Sequence, residues 1–151
     1  MITLQGKTVL VGVTGGIAAY KAAALVSALV KLQCHVEVIL TENATQFITP
    51  LTFEQLTGNR AMVDTFDRNF SHQVEHVSLA HRTDLVIIAP ATANVCAKLA
   101  HGLADDMLTT TVLACSRHNI LVAATHPGIY QHPDTEETSN ILPVAGWQAT
   151  H

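Results

Sequence analysis

Four short runs of apolar residues predict the strands of a buried sheet. The first run, Thr8–Val13, is β-branched and unbroken and leads into Gly15 and Gly16, which is typical of a strand buried on both faces and followed by a tight turn. Helix-compatible sequence separates each run from the next, so the strands should be parallel and joined by right-handed crossovers. The sequence thus predicts at least four parallel strands, and the other three are at His35–Leu40, 85–89 and 120–123.

Apolar residues three and four positions apart predict the intervening helices. Ala22, Leu25, Val26 and Leu29 lie on one stripe of a helix predicted at about 17–32. Shorter helices are predicted at 50–56, 94–101 and 107–115, whereas 58–71 is polar and irregular and 127–140 is a surface loop or partly ordered tail. This alternation of strands and helices predicts an α/β protein.

The composition limits the class of protein. The chain has 151 residues, of which 48% are hydrophobic and 13% are charged, so one domain with its own core is expected. The net charge of −4, without any cluster of Lys and Arg, argues against nucleic acid as a partner. No apolar run is long enough for a membrane span or a signal peptide. Cys34, Cys96 and Cys115 are an odd, widely spaced set, which favours a reducing compartment and a cytoplasmic protein.

The loops at the carboxyl ends of the predicted strands are the candidate ligand sites, because open parallel sheets bind ligands there. In the first loop, Gly15 and Gly16 would let backbone N–H groups approach a phosphate at a helix N-terminus, although a plain strand-to-helix turn explains them equally well. The glycines lack the G-x-G-x-x-G spacing, which disfavours a dinucleotide. The other loops follow Thr41, Pro90 and Ala124.

The loop from Ala89 to Asn94 has small residues, one hydroxyl and one amide. Such a loop lets a flat ring lie against the backbone while Asn94 bonds the polar edge of that ring. The alternative, which is favoured when this loop is taken alone, is a proline turn followed by a helix that Asn94 caps.

A third candidate is the H-x-x-E-H pattern formed by His72, Glu75 and His76, which inverted zinc peptidases use. The chain has nine histidines and no second acidic helix placed to complete a metal site, so a chance match is favoured and no metal is predicted. His76 also opens an amphipathic stretch just before a core strand, where a catalytic imidazole is the alternative interpretation.

Five segments together resemble the flavin-containing cysteine decarboxylases, and within that family the phosphopantothenoylcysteine decarboxylases of coenzyme A biosynthesis. The resemblance covers roughly residues 7–121, with the motifs in the family's order. The segments are VTGGIAAYK at 13–21, LTENATQF at 40–47, EHVSLA at 75–80, IAPATAN at 88–94 and KLAHGLADD at 98–106.

The resemblance implies a Rossmann-like (flavodoxin-like), doubly wound parallel sheet in three α/β/α layers that binds FMN at a subunit interface. It also implies a homotrimer, often assembled into a dodecamer. Residues 1–126 would form the FMN-binding domain, and 127–151 an irregular C-terminal segment of it. By resemblance, the phosphate would be bound by Gly15, Gly16 and Ile17 with the turn at Thr41, Glu42 and Asn43, and the ribityl chain and ring by Thr92, Ala93, Asn94 and Val95.

In the family reaction, flavin oxidises the substrate's cysteine side chain to a thioaldehyde, which lets the adjacent carboxylate leave as carbon dioxide. His76 matches the family's catalytic histidine and would act as the general base. The resemblance implies a small-molecule substrate with a cysteine carboxylate, and in the family reaction the electrons return to the enethiol with a proton from an enzyme cysteine. The resemblance to phosphopantothenoylcysteine decarboxylases implies the conversion of 4'-phosphopantothenoyl-cysteine to 4'-phosphopantetheine.

Two departures from the family pattern count against full turnover by this chain. Where the family has Pro-x-Met-Asn, whose Asn binds the substrate carboxylate, His126 takes the Asn position and would replace it only in part. The segment that carries the family's proton-donating cysteine would follow Gly146 and Trp147, but the sequence stops at His151. A shortened or frame-shifted gene product that still folds and binds FMN is one interpretation.

Two further functions are compatible with these departures. One is a non-catalytic or regulatory subunit that lends His76 or a structural face to a complete partner in a mixed trimer. The other is oxidative decarboxylation without the reduction step, as in the peptidyl-cysteine decarboxylases of lantibiotic maturation. Prenyl-FMN synthases share the general fold, but the 14–21 segment and the His76 motif are closer to the cysteine decarboxylases.

Overall fold

The computed structural model describes residues 4–63, 75–115 and 120–124, and these form a parallel sheet covered by helices on both faces. The strands are β1 (Thr8–Val13), β2 (His35–Leu40), β3 (Leu85–Ala91) and β4 (Ile120–Ala124), in the order β2-β1-β3-β4. The order reverses direction between β1 and β3. That place is the topological switch point, where open α/β sheets bind ligands.

Five helices connect the strands within the described ranges. They are α1 (Ala19–Lys31), α2 (Pro50–Thr57), α3 (Glu75–Arg82), α4 (Ala93–His101) and α5 (Met107–Ala114), and a short 3₁₀ helix (Asn43–Gln46) follows β2. The first two predicted strands have the observed bounds, and the other predicted elements differ from the observed ones by one or two residues at an end. The amphipathic stretch that begins at His76 forms α3.

Alternate residues of the central strand enter two separate cores. Val9, Val11 and Val13 pack with α1 and α2 on one face, and Leu10 packs with α3, α4 and α5 on the other. A strand whose successive side chains point to opposite faces and are all buried must be covered on both sides. The prediction of a doubly wound, three-layer α/β/α fold is therefore confirmed.

The segment after α2 departs from the prediction of irregular structure at 58–71. Met62 forms a parallel bridge with Ile39, and the Met62 carbonyl accepts a hydrogen bond from the Leu40 N–H at 2.8 Å. This bridge extends the sheet beyond β2 by a single residue pair and places Val63 near the carboxyl end of β2. Residues 64–71 lie outside the described ranges.

A largely buried carboxylate holds α3 against the sheet. Glu37 projects from β2, and its Oε1 lies 3.1 Å from an Arg82 guanidinium nitrogen and 2.9 Å from His35 Nε2. The Glu37 side chain is only 11% exposed, so its pairing with Arg82 replaces the water that the carboxylate loses. Because Arg82 ends α3, the pair anchors the helix that carries His76. None of the helices within the described ranges is both long and apolar enough to cross a bilayer.

Candidate functional site

A cleft of about 630 Å³ lies at the carboxyl-end edge of the sheet, within the usual size range of small-molecule sites. Parts of the chain that are far apart in sequence form its walls. The turn after β1 and the turn after β2 contribute Gly15, Thr41, Glu42 and Asn43, and Val63 lies beside them. The loop after β3 and the start of α4 contribute Thr92, Asn94, Val95 and Lys98, and the start of α5 contributes Asp105, Asp106 and Met107.

Most of the residues predicted to bind a cofactor meet in this cleft. Gly15, Thr41, Asn43, Thr92, Asn94 and Val95 line it, whereas Gly16, Ile17 and Ala93 are their immediate neighbours in sequence and do not. Ile17 is 79% exposed to solvent.

The side chains of the predicted catalytic and substrate-binding histidines are not among those that the structure describes. His76 is the second residue of α3, but its side chain is not among those described. His126 and the proposed boundary at 126/127 lie outside the described residues, as does His72 of the H-x-x-E-H pattern. Among the described residues, no three His, Cys, Asp or Glu side chains are grouped to hold a metal ion.

Gly15 allows the first two cleft turns to approach each other. A Cβ atom added at Gly15 would lie 2.6 Å from the Asn43 Cβ and 3.0 Å from the Asn43 carbonyl carbon. Real Cβ atoms essentially never come as close as 2.6 Å to another heavy atom, so any larger residue would push the two turns apart. The glycine is therefore required by this close approach.

Thr14 joins the loop after β1 to the loop after β3. Its hydroxyl donates to the Pro90 carbonyl and accepts from the Thr92 N–H at 3.0 Å, and its own N–H donates to the same carbonyl at 3.3 Å. The side chain is fully buried, so these hydrogen bonds are shielded from water. They hold Thr92, which lines the cleft, in a defined position next to Gly15.

The N-terminus of α1 offers backbone donors to a ligand. Ala18 occupies the cap position and provides no side-chain hydrogen bond, and the first turn has no acidic residue. Within the described part of the chain, the backbone N–H groups of Gly15, Gly16 and Ile17 meet no protein acceptor. Free N–H groups and the positive end of the helix dipole favour an anion here. The residues present therefore fit the phosphate group expected from the sequence.

The other two helix N-termini at the cleft are capped by their own side chains. Thr92 caps α4, and its hydroxyl accepts from the Val95 N–H at 3.2 Å. The alternative prediction that Asn94 caps this helix is therefore wrong, because the helix begins one residue earlier, at Ala93, and leaves Asn94 exposed in the first turn. Asp106 caps α5, and its Oδ1 accepts from the Thr109 N–H at 2.7 Å.

The start of α5 and its approach loop are the part of the cleft to which the sequence assigned no role. Lys98 Nζ lies 3.0 Å from Asp105 Oδ1, and Asp106 and Met107 complete this wall. The segment 98–106 was among the motifs that carry the family resemblance, so the signal was present. What the sequence could not show is that Lys98 and the start of α5 line the same cleft as Asn94 and Val95.

The cysteines do not contribute to the cleft. Burial raises the pKa of Cys96 and the pKa of Cys115 to about 11, and it also raises the pKa of Cys34. All three thiols are free, and none lines the cleft. The described residues thus place no reactive thiolate at the site.

The strand order and the cleft at the switch point define a flavodoxin-like α/β protein with a small-molecule site. A family model described as Flavoprotein matches residues 2–150. The chain therefore belongs to the Flavoprotein family, and the resemblance predicted from the sequence is confirmed.

Curated relatives support the same placement. The chain is 45% identical over 139 residues to the coenzyme A biosynthesis bifunctional protein CoaBC of Bacillus subtilis (strain 168), covering 92% of this chain and 34% of the relative. It is 41% identical over 133 residues to CoaBC of Borreliella burgdorferi, covering 88% of this chain and 34% of the relative. The chain spans about a third of the length of these relatives.

Solved structures share the fold. The FMN-dependent cysteine decarboxylase SpaF matches with a TM-score of 0.85 and 29% identity, over 97% of this chain and 85% of SpaF. A PPC decarboxylase mutant complexed with pantothenoylaminoethenethiol matches with a TM-score of 0.77 and 23% identity, over 97% of this chain and 82% of that one. The second likeness is one of fold alone.

Proposed function

We propose that this chain binds FMN and is a phosphopantothenoylcysteine decarboxylase domain, which converts 4'-phosphopantothenoyl-cysteine to 4'-phosphopantetheine. The observation that carries the proposal is the uncapped start of α1, where Gly15 packs closely against the turn after β2 at one side of the cleft. The 45% identity to a coenzyme A biosynthesis protein supports this substrate over others.

Each wall of the cleft has a role in this proposal. The free N–H groups of Gly15, Gly16 and Ile17 would bind the FMN phosphate, with Thr41 and Asn43 beside them. The loop at Thr92, Ala93, Asn94 and Val95 would hold the ribityl chain and the ring. Thr14 would keep the first and last of these loops in register, because it belongs to the loop after β1 and hydrogen-bonds to Pro90 and Thr92 in the loop after β3.

FMN, when bound, would supply the two-electron oxidation of the substrate's cysteine side chain that allows carbon dioxide to leave, and would then return the two electrons to the resulting enethiol, so that the whole reaction is redox-neutral. His76, near the start of α3, would accept the proton released in that step. His126, carried over from the sequence resemblance, would donate to the substrate carboxylate. The Glu37 and Arg82 pair would hold α3, and therefore His76, in place.

We also propose a homotrimer, alone or within a dodecamer, in a reducing cytoplasmic compartment. Large apolar side chains adjoin the cleft turns in sequence and are exposed in the single chain, namely Ile17, Tyr20, Phe47 and Leu51. A subunit interface would cover them. The three free cysteines are consistent with a reducing compartment.

The cofactor is tested first, by the absorbance spectrum of the purified chain and by identification of the released flavin by mass spectrometry. We expect FMN at one equivalent per chain. The apoprotein should then bind added FMN much more tightly than riboflavin, because riboflavin lacks the phosphate. A colourless protein that does not take up FMN would refute the proposal.

The reaction is tested with 4'-phosphopantothenoyl-cysteine and the FMN-loaded chain, and carbon dioxide release and product mass are followed. His76→Gln should retain FMN and lose decarboxylation, since the variant cannot accept a proton. His81→Gln is the matched control, because His81 is an exposed residue of the same helix. Equal activity of His76→Gln and wild type would remove His76 from the proposal.

A second candidate is oxidative decarboxylation of a peptidyl cysteine without the reduction step. It is favoured by the position of the cysteines, because none of them lines the cleft as a proton donor. The 29% identity to the FMN-dependent cysteine decarboxylase SpaF supports cysteine decarboxylation in both candidates alike. Product mass separates the candidates, since the oxidative product has lost two hydrogens besides carbon dioxide and leaves the flavin reduced.

A further inference from the structure

Lys98 is the only positively charged residue among those described that line the cleft. Its side chain projects from α4 and is 21% exposed, so most of it is removed from water. Lysine seldom occupies such a position without a partner for its charge. The positive charge of Lys98 in the cleft therefore requires a nearby group that interacts with it.

The protein partners of the Lys98 ammonium account for only part of its bonding capacity. An ammonium group has three donor hydrogens, and its one charged neighbour among the described residues is Asp105, whose Oδ1 forms an ion pair with Nζ at 3.0 Å. No other acceptor for Nζ is present within the described ranges. The Asp105 side chain is 62% exposed, so water screens its attraction for the lysine. The ammonium retains donors for a group in the cleft.

The position of Lys98 along α4 indicates which part of a ligand it meets. Lys98 follows Asn94 by four residues, and side chains four apart lie on the same face of a helix. Both residues line the cleft. In the proposed function the phosphate is assigned to the start of α1 and the ring to the loop at Thr92–Val95. The Lys98 side chain thus belongs to the wall assigned to the ring.

We propose that Lys98 donates a charge-assisted hydrogen bond to the ring system of the bound flavin and, by its positive charge, favours the reduced state of that flavin. The inference rests on the proposed function, since it requires FMN in this cleft. A cation beside the flavin ring stabilises the negative charge that the ring acquires on reduction. Asp105 would moderate this effect, because its carboxylate partly neutralises the lysine.

The test uses the FMN-loaded chain and three substitutions, namely Lys98→Met, Lys98→Arg and Asp105→Asn. Loss of one charge-assisted hydrogen bond corresponds to an increase of about tenfold in the dissociation constant of the ligand. We expect Lys98→Met to weaken the binding of FMN and the binding of riboflavin by the same factor of roughly ten. The same substitution should lower the reduction potential of bound FMN. Lys98→Arg should largely retain both properties, because it keeps the charge.

The Asp105→Asn variant distinguishes two roles for Lys98, namely an interaction with the ligand and a purely structural ion pair. If Lys98 acts on the ring, removal of the Asp105 charge should raise the reduction potential, opposite to the effect of Lys98→Met. If the Lys98–Asp105 ion pair only holds the loop between α4 and α5, Lys98→Met and Asp105→Asn should weaken FMN binding equally and leave the reduction potential unchanged. That result would overturn the proposal. Urea unfolding of each variant checks that it is folded, and Lys98→Gln replaces Lys98→Met if that variant does not fold.

Two other outcomes would also contradict the proposal. If Lys98→Met weakens the binding of FMN but not that of riboflavin, the lysine binds the phosphate and the proposal is wrong. If flavin affinity and potential are unchanged but KM for the cysteine substrate rises, the lysine binds the substrate carboxylate and the proposal is likewise wrong. Failure of the wild-type chain to bind any flavin would instead refute the proposed function itself.

Discussion

The hydroxyl of Thr14 accepts a hydrogen bond from the Thr92 N–H at 3.0 Å while it donates to the Pro90 carbonyl. One buried side chain therefore connects the turn after β1 with the turn after β3, the two turns that flank the switch point of the sheet. These hydrogen bonds set the distance between two walls of the cleft.

Thr14→Val should destabilise the protein and weaken flavin binding. Valine has nearly the same shape but leaves the Thr92 N–H without its acceptor in a buried place, which costs about 2 kcal/mol. Urea unfolding measures the stability change, and titration of the apoprotein with FMN measures the affinity. Thr14→Ser is the matched control, because it keeps the hydroxyl. Equal losses for Ser and Val would show that the hydrogen bonds are not responsible.

Gly15→Ala should abolish or strongly weaken FMN binding while the chain still folds. The new Cβ would lie 2.6 Å from the Asn43 Cβ, so the turn after β2 must move, at a cost of about 1–3 kcal/mol. FMN titration and urea unfolding measure the two effects. Adding Asn43→Gly removes that Cβ contact and should restore part of the affinity. Asn43→Ala in the wild-type background removes the amide without creating this contact, and so separates the role of the amide from that of packing.

Asp106→Ala should destabilise the protein by about 1 kcal/mol through loss of the cap of α5. The Asp106 carboxylate accepts from the Thr109 N–H at 2.7 Å and from the Thr109 hydroxyl at 2.6 Å. Asp106→Asn should retain most of the stability, because asparagine also caps helices. Asp105→Ala, one residue earlier and exposed, is the positional control. A similar loss for both alanine variants in urea unfolding would contradict the assignment of the cap.

The buried cysteines should react slowly with alkylating reagents in the folded protein. Burial raises the pKa of Cys96 and of Cys115 to about 11, so at pH 8 roughly one thiol in a thousand is ionised at each position. Cys34 is only partly buried and should be modified first. Mass spectrometry of iodoacetamide-treated protein, with urea-unfolded protein as the reference, measures the order. Rapid native labelling of Cys96 would contradict this prediction.

The same pKa shifts predict the direction of alkaline destabilisation. A thiol in the unfolded chain loses its proton near pH 8.5, whereas the folded thiols of Cys96 and Cys115 keep theirs to about 11. Their contribution to stability is therefore fully present below pH 8.5 and is lost as the pH rises toward 11. The double substitution Cys96→Ala and Cys115→Ala should flatten this part of the pH profile of unfolding.

The strands were predictable because each is a continuous apolar run that can be buried only in a sheet covered on both faces. Thr8–Val13 and His35–Leu40 have the predicted bounds. Helix ends were less predictable, because they depend on which side chain caps them. At α4 two candidates, Thr92 and Asn94, lie two residues apart, and only the hydrogen bond from the Val95 N–H identifies Thr92.

The sequence by itself determined the α/β class, the strand pattern and the resemblance to flavin-containing cysteine decarboxylases, and it selected about half of the residues that line the cleft. These follow from local patterns of apolar residues, glycines and short motifs. Only the tertiary structure decided that Asn43 packs against Gly15, that Thr14 bonds across to Thr92, and that Lys98 and Asp105 form part of the same cleft. Such relationships join positions that are up to about eighty residues apart, and they depend on strand order and helix packing, which local patterns do not specify.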